Sequence, residues 1–174
     1  MSPMSSMSEF DRQRQWTDHP RLGAWLAEQE AAFGEWAASH PGDWDFSASS
    51  IDALERAVRA DFAGAAWEDV RAAQHTPALT APAWYLGEVC VRAGAVWKVN
   101  PATDFDSGTW DGPFVGVPGD PMENPDHEDL YEDEDYYPAS VPVPELRAMF
   151  AKDPGAWRLR DVVTEFEEWA GGRG

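Results

Sequence analysis

Cysteine is almost missing from this chain. A single one, Cys90, stands among 174 residues, so no disulfide can form within it. It falls on the apolar side of a helical pattern, which predicts a small buried hydrophobe rather than a reactive thiol. Basic charge is scarce as well: two lysines and eleven arginines face 32 acidic residues. The net charge of −19 argues against binding to DNA or RNA phosphates and to anionic membranes. No apolar run approaches the roughly 18 residues that a membrane span needs. The opening MSPMSSMSEF carries no apolar stretch of the secretory kind, and with the lone cysteine this predicts a cytoplasmic protein. The sequence has no Walker-type phosphate loop, no dinucleotide-binding glycine triplet after a strand, no H-E-x-x-H and no G-x-S-x-G elbow.

Aromatic residues are abundant instead. Ten Trp, eight Phe and four Tyr, within a hydrophobic content of 43%, predict one domain with an unusually aromatic core. The excess of Arg over Lys, with much Ala, Gly, Asp and Trp, is the usage of a GC-rich bacterial genome.

The organising stretch is Pro82 to Pro101, PAWYLGEVCVRAGAVWKVNP. Thr80 as cap and Pro82 in the first turn would start a helix. Leu86, Val89, Cys90 and Ala93 follow helical spacing, with Tyr85, Glu88 and Arg92 on a neighbouring face. Gly94 supplies the C′ stop. Ala95, Trp97 and Val99 then alternate with Val96 and Lys98, as in a strand with one buried face, up to Asn100-Pro101. Gly87 costs a helix about 1 kcal/mol against alanine, so a close approach is expected there, read as a helix crossing. Glu88 and Arg92 form an ordinary (i, i+4) ion pair. Tyr85, Gly87, Glu88, Gly94 and Trp97 are thus the residues of a structural corner.

Around that corner the pattern predicts a mainly helical α+β domain, its helices packed on an antiparallel sheet of two or three strands. Residues 1–20 read as a mobile polar tail, within which Ser8 could cap a short helix, and 21–170 as the single domain. The first helix spans Arg21 to Ser39 through Leu22, Trp25, Leu26, Phe33 and Trp36, with Glu28, Gln29 and Glu30 between them. Ser49 or Ser50 caps the next, whose stripe is Ile51, Leu54, Val58 and Phe62, extending to Val70, with Glu55 and Arg59 paired on its outer face. Gly64 bends that helix or divides it. His75-Thr76-Pro77 links it to the central helix. Pro113–Val117 pairs with Ala95–Val99, and a third strand is placed near Asp104–Trp110. Val143–Lys152 forms a helix with Pro144 in its first turn, and Asp153-Pro154-Gly155 breaks it. Leu159, Val162, Val163, Phe166 and Trp169 define the last helix, ended by Gly171-Gly172.

Between Asp120 and Asp135 lie nine acids and no Lys or Arg. This composition predicts an acidic loop over about 120–137 that does not order itself. His127-Glu128-Asp129 within it is a lone histidine among acids, and no metal or cofactor is expected.

Two fragments carry a resemblance. Asp45-Phe46-Ser47-Ala48-Ser49-Ser50-Ile51 is similar to a "D-F/Y-S-x-x-S-L" helix start. Trp84-Tyr85-Leu86-Gly87-Glu88-Val89, with Gly94 and Trp97, is similar to a "Y-L-G-E-V … G-x-x-W" segment. Together, over residues 44 to 117, they resemble small bacterial domains of unknown function, some near toxin-immunity or secretion-associated genes. The resemblance implies helices on a small sheet and brings no catalytic residues.

Two functional readings follow. The first is a non-enzymatic protein-binding module, immunity-type or adaptor, whose acidic surface meets a basic protein. Tyr131, Glu132, Asp133, Glu134, Asp135, Tyr136 and Tyr137 are its candidate contacts, with the tyrosines as anchors. The alternative is a hydrolase-like enzyme using carboxylates such as Glu88, Asp104 and Asp106, which requires a concave pocket holding two carboxylates of raised pKa.

Overall fold

A computed structural model of the chain describes residues 14–118, 137–152 and 156–173. Among these, six helices pack on a three-stranded antiparallel sheet, the mainly helical α+β arrangement that the sequence predicts. The helices are α1 (Pro20–Ala38), α2 (Ala48–Asp61), α3 (Trp67–Ala73), α4 (Pro77–Arg92), α5 (Pro142–Met149) and α6 (Arg160–Arg173). The strands are β1 (Val96–Lys98), β2 (Phe114–Gly116) and β3 (Ala139–Ser140), in spatial order β1-β2-β3. Trp97 pairs with Val115 and Lys98 with Phe114, so the expected pairing of these two segments is present.

Helix α4 is the centre. It packs on every other helix and on β1 and β2. Residues 79–87 are all buried, the burial of a helix covered on all sides. It starts at Pro77, earlier than expected. Thr76-Pro77 offers the same cap-plus-proline signal as Thr80-x-Pro82, and Pro77 takes the first helical position. Thr76 Oγ1 donates back to the Ala73 carbonyl, tying the end of α3 to the start of α4. Pro82 therefore lies inside the helix, where its missing N–H leaves one backbone bond unmade. At the other end Gly94 (φ +118°) closes the helix: its N–H bonds Val91 O, and Ala95 N bonds Cys90 O. This is a Schellman stop, which turns the chain directly into β1.

Several expectations are corrected by packing. Ser47, not Ser49 or Ser50, caps α2, because Asp45 accepts from both its N–H and its hydroxyl and holds it in place. Gly64 (φ +78°) divides rather than bends, and Val70 sits on the separate α3. Glu55 and Arg59 face inward: Glu55 is 8% exposed, accepting from Arg59 Nε at 2.8 Å and from Leu159 N at 2.7 Å. Arg59 also donates to Met149 O, so the pair joins α2 to α5 and to the start of α6. Lys98 is 1% exposed and donates from Nζ to Val117 O, because β1 is covered on both faces there. The third strand is not near Asp104–Trp110, where the chain makes turns with Gly108 at φ +83°; it is Ala139–Ser140. Helix α5 begins at Pro142 and ends at Met149. Helix α6 runs through Gly171-Gly172 to Arg173, since neither glycine takes positive φ.

Part of the segment expected as a mobile tail packs on the domain. Residues 14–17 form a helical turn, the Trp16 carbonyl accepts from Val99 N, and the Trp16 ring meets Phe114 edge-on. Ser8, the acidic stretch Asp120–Asp135 and Asp153-Pro154-Gly155 lie outside the described residues.

Candidate functional site

The corner residues converge on one indole. Gly94 returns the chain so that Trp97 lies over α4 at Gly87. A Cβ on Gly87 would stand 2.1 Å from Trp97 Cη2 and Cζ2, so the close approach inferred from this glycine is real. It is made by a tryptophan ring, however, and not by a crossing helix. Trp97 Nε1 donates to Glu88 Oε2 at 2.7 Å, and Arg92 reaches Glu88 Oε1 at 3.4 Å. Glycine as the floor, a carboxylate as the anchor and a glycine turn together fix the ring. Its outer face meets Trp25 of α1, with centroids 5.6 Å apart.

Tyr85, two residues before Gly87, ties the Asp45–Ile51 segment to α4. Its hydroxyl accepts from Phe46 N at 2.7 Å and donates to Ser50 Oγ at 2.7 Å; Ser50 in turn donates to Ser47 O. The Phe46 and Tyr85 rings stack at 4.8 Å, with Arg92 over the outer side of Phe46. Phe46 has φ +63°, a left-handed conformation that a non-glycine residue adopts only when its surroundings hold it. Burial pushes the Tyr85 phenol above its ordinary pKa, which keeps it a neutral O–H donor. Tyr85→Phe leaves the Phe46 N–H and Ser50 without their partner. The expected loss is about 1–3 kcal/mol, read as a lower urea midpoint with an unchanged m-value.

Of the carboxylates of the enzymatic alternative, Asp104 lines a groove with Asp111, and Glu88 and Asp106 do not line it. Both Glu88 oxygens hold the corner. Asp106 pairs with Arg21 at 2.9 Å, and Asp104 accepts from Asp106 N. Arg21 also donates to Phe105 O, so this loop is clamped on the start of α1. Glu145 is pushed up by burial, but the groove it lines, with Ser140, Arg147 and Lys152, holds no second carboxylate among the described residues. The Cys90 thiol is buried, and burial pushes its pKa up. Among the described residues no group of three His, Cys, Asp or Glu side chains could hold a metal. His127 and the contacts Tyr131 to Tyr136 lie outside the described residues; Tyr137 is half-buried and packs against the core.

One histidine is built to be charged. His40 stacks on Trp36 at 3.9 Å; Nδ1 faces the Trp36 carbonyl at 2.7 Å and Nε2 faces Asp61 at 2.8 Å. Both nitrogens therefore meet acceptors, which only the doubly protonated ring satisfies. Burial alone would lower its pKa, but the bond to Asp61, the bond to Trp36 and the Asp61 charge outweigh it and raise it above 6.5. A raised folded value means that the stabilisation is complete below about pH 6.5 and is lost as pH rises through the folded pKa. The stability difference between the natural chain and His40→Gln is thus expected to be larger at pH 5.5 than at pH 8.5, measured by urea melts.

A polar pocket of about 160 Å³ lies beside the corner, where Trp25 forms a wall. Trp110, Glu28, Asp111, Gln29 and Thr80 also line it. Trp110 is held edge-on by Phe105 at 4.8 Å. Gly112 (φ +91°) brings this loop against α1: a Cβ there would lie 3.5 Å from Trp25. Gln29 is 5% exposed and bonded to Thr80 at 2.6 Å. It was expected on the polar side of α1. Its position between Leu22, Leu26, Phe33 and Trp36, in steps of four and three, is the signal that places it inward.

Compared with family models, curated proteins and solved structures, the chain finds no match.

Proposed function

We propose that the protein is a non-enzymatic binding module, immunity-type or adaptor, whose acidic surface meets a basic protein partner. The observation that carries this reading is how the fold uses its few cations. Seven arginines (Arg14, Arg21, Arg59, Arg92, Arg147, Arg158 and Arg160) are paired within the chain. Glu28, Glu30 and Glu35 on α1 and Glu167 and Glu168 on α6 are exposed and pair with no cation among the described residues. The surface that remains is strongly negative, and Asp120–Asp135 adds nine more acids to the same chain. Such a field steers a basic partner and suppresses anionic ones. Among the described residues no helix is long and apolar enough to cross a membrane.

The test is affinity capture from the native host, followed by titration of the purified partner. A basic protein is expected, with a Kd that rises about tenfold or more between low and high salt. Neutralising Glu132, Asp133, Glu134 and Asp135 to the amides is expected to weaken it further. A partner whose affinity ignores salt overturns the reading.

A further inference from the structure

We propose that the pocket between α1, the loop at residues 110–112 and α5 receives one arginine side chain of the basic partner, its guanidinium set against Trp25 and Trp110 and bonded to Glu28; this rests on the reading above and specifies its anchor. Two indoles with a carboxylate at the same cavity are the elements of cation recognition. The charge count fits one monocation. Asp111 lies 3.8 Å from Arg147, which compensates it, whereas Glu28 has no cation among the described residues. Both walls are packed against a second ring before any ligand arrives: Trp97 backs Trp25, and Phe105 backs Trp110. An anchor pocket formed in advance loses less freedom on binding. Arginine suits it better than lysine, because a planar, weakly hydrated guanidinium stacks on indoles and offers several donors at once.

Gln29 gives the floor its versatility. The single Thr80 hydroxyl proton has two acceptors in reach, Gln29 Oε1 at 2.6 Å and Thr76 O at 3.0 Å. When that proton goes to Thr76, the Thr80 oxygen accepts from Gln29 Nε2 instead. The Gln29 carbonyl then turns to the pocket as an acceptor for a guanidinium N–H.

The experiment follows indole N–H resonances of the isotope-labelled full chain during titration at low salt. The probes are Nα-acetylarginine amide and its neutral isostere Nα-acetylcitrulline amide. Saturable shifts at Trp25 and Trp110 are expected with the arginine probe, with affinity about fivefold weaker for the citrulline probe and for the arginine probe on Glu28→Gln. Glu28 is exposed, so this variant keeps its fold. Equal affinity for the two probes, an unchanged affinity in Glu28→Gln, or no saturable shift at these indoles overturns the pocket. A salt-sensitive partner that binds Glu28→Gln as well as the natural chain also overturns it, while leaving the acidic-surface reading intact.

Discussion

Gly87→Ala is expected to destabilise the fold by about 2 kcal/mol, although helix propensity alone predicts a gain of about 1 kcal/mol from the same change. The added methyl would stand 2.1 Å from two carbons of the Trp97 ring, far inside van der Waals contact. Neither neighbour can give way cheaply. The ring is held by Glu88 on its N–H and by Trp25 on its other face. Overpacking a close-packed interior costs about 1–3 kcal/mol, and a contact this short belongs at the top of that range. Gly87→Leu is expected to cost more than alanine does. Displacing Trp97 also moves the wall of the pocket, so the indole resonance of Trp25 should shift in Gly87→Ala. Urea unfolding and the Trp25 resonance check the two parts separately.

Glu55→Ala is expected to be the most damaging single replacement among the ion pairs, at about 3–5 kcal/mol. Its carboxylate is the junction of three elements. One oxygen takes the Arg59 Nε–H, the other takes the Leu159 N–H, and Arg59 extends to the Met149 carbonyl. With Glu55 truncated, a largely buried guanidinium loses its counter-charge and a buried backbone N–H loses its acceptor. Uncompensated charge in the interior, rather than the lost attraction, dominates the cost. Glu55→Gln keeps an oxygen for Leu159 N and is expected to lose clearly less. Thermal melts of the two variants make the comparison; equal losses would show that the carboxylate charge is immaterial. The exposed pair Arg158–Asp161, by contrast, is expected to contribute under about 1 kcal/mol.

The sequence made the corner legible because each of its signals is local. Gly94 followed by alternating Ala95, Trp97 and Val99 forces a stop and then a strand, whatever surrounds it. Gly87 announced a close approach, since a helix tolerates glycine poorly, but nothing local says whether the approaching group is a backbone or a ring. Glu55–Arg59 misled for a related reason. The (i, i+4) spacing has the same appearance on an outer face and an inner one, and only the packing of α6 over α2 decides between them. Thr76-Pro77 and Thr80-x-Pro82 are equivalent start signals a few residues apart, and burial of the whole segment lets the helix absorb the second proline. The pocket joins α1, α4, α5 and a loop that are distant in sequence, so its existence is a tertiary fact. Its floor alone was accessible: a glutamine on an apolar stripe marks a buried polar group, and buried polar groups have partners.

The measurement that bears most directly on the corner is a double-mutant cycle between Gly87 and Trp97. Gly87→Ala is made in the natural chain and in a Trp97→Leu background, and unfolding free energies are compared. With the indole gone, the penalty of about 2 kcal/mol is expected to vanish and alanine to become the more stable residue, by up to about 1 kcal/mol. An undiminished penalty in the Trp97→Leu background would contradict the claim that this ring, seated on this glycine, is what the helix leaves room for.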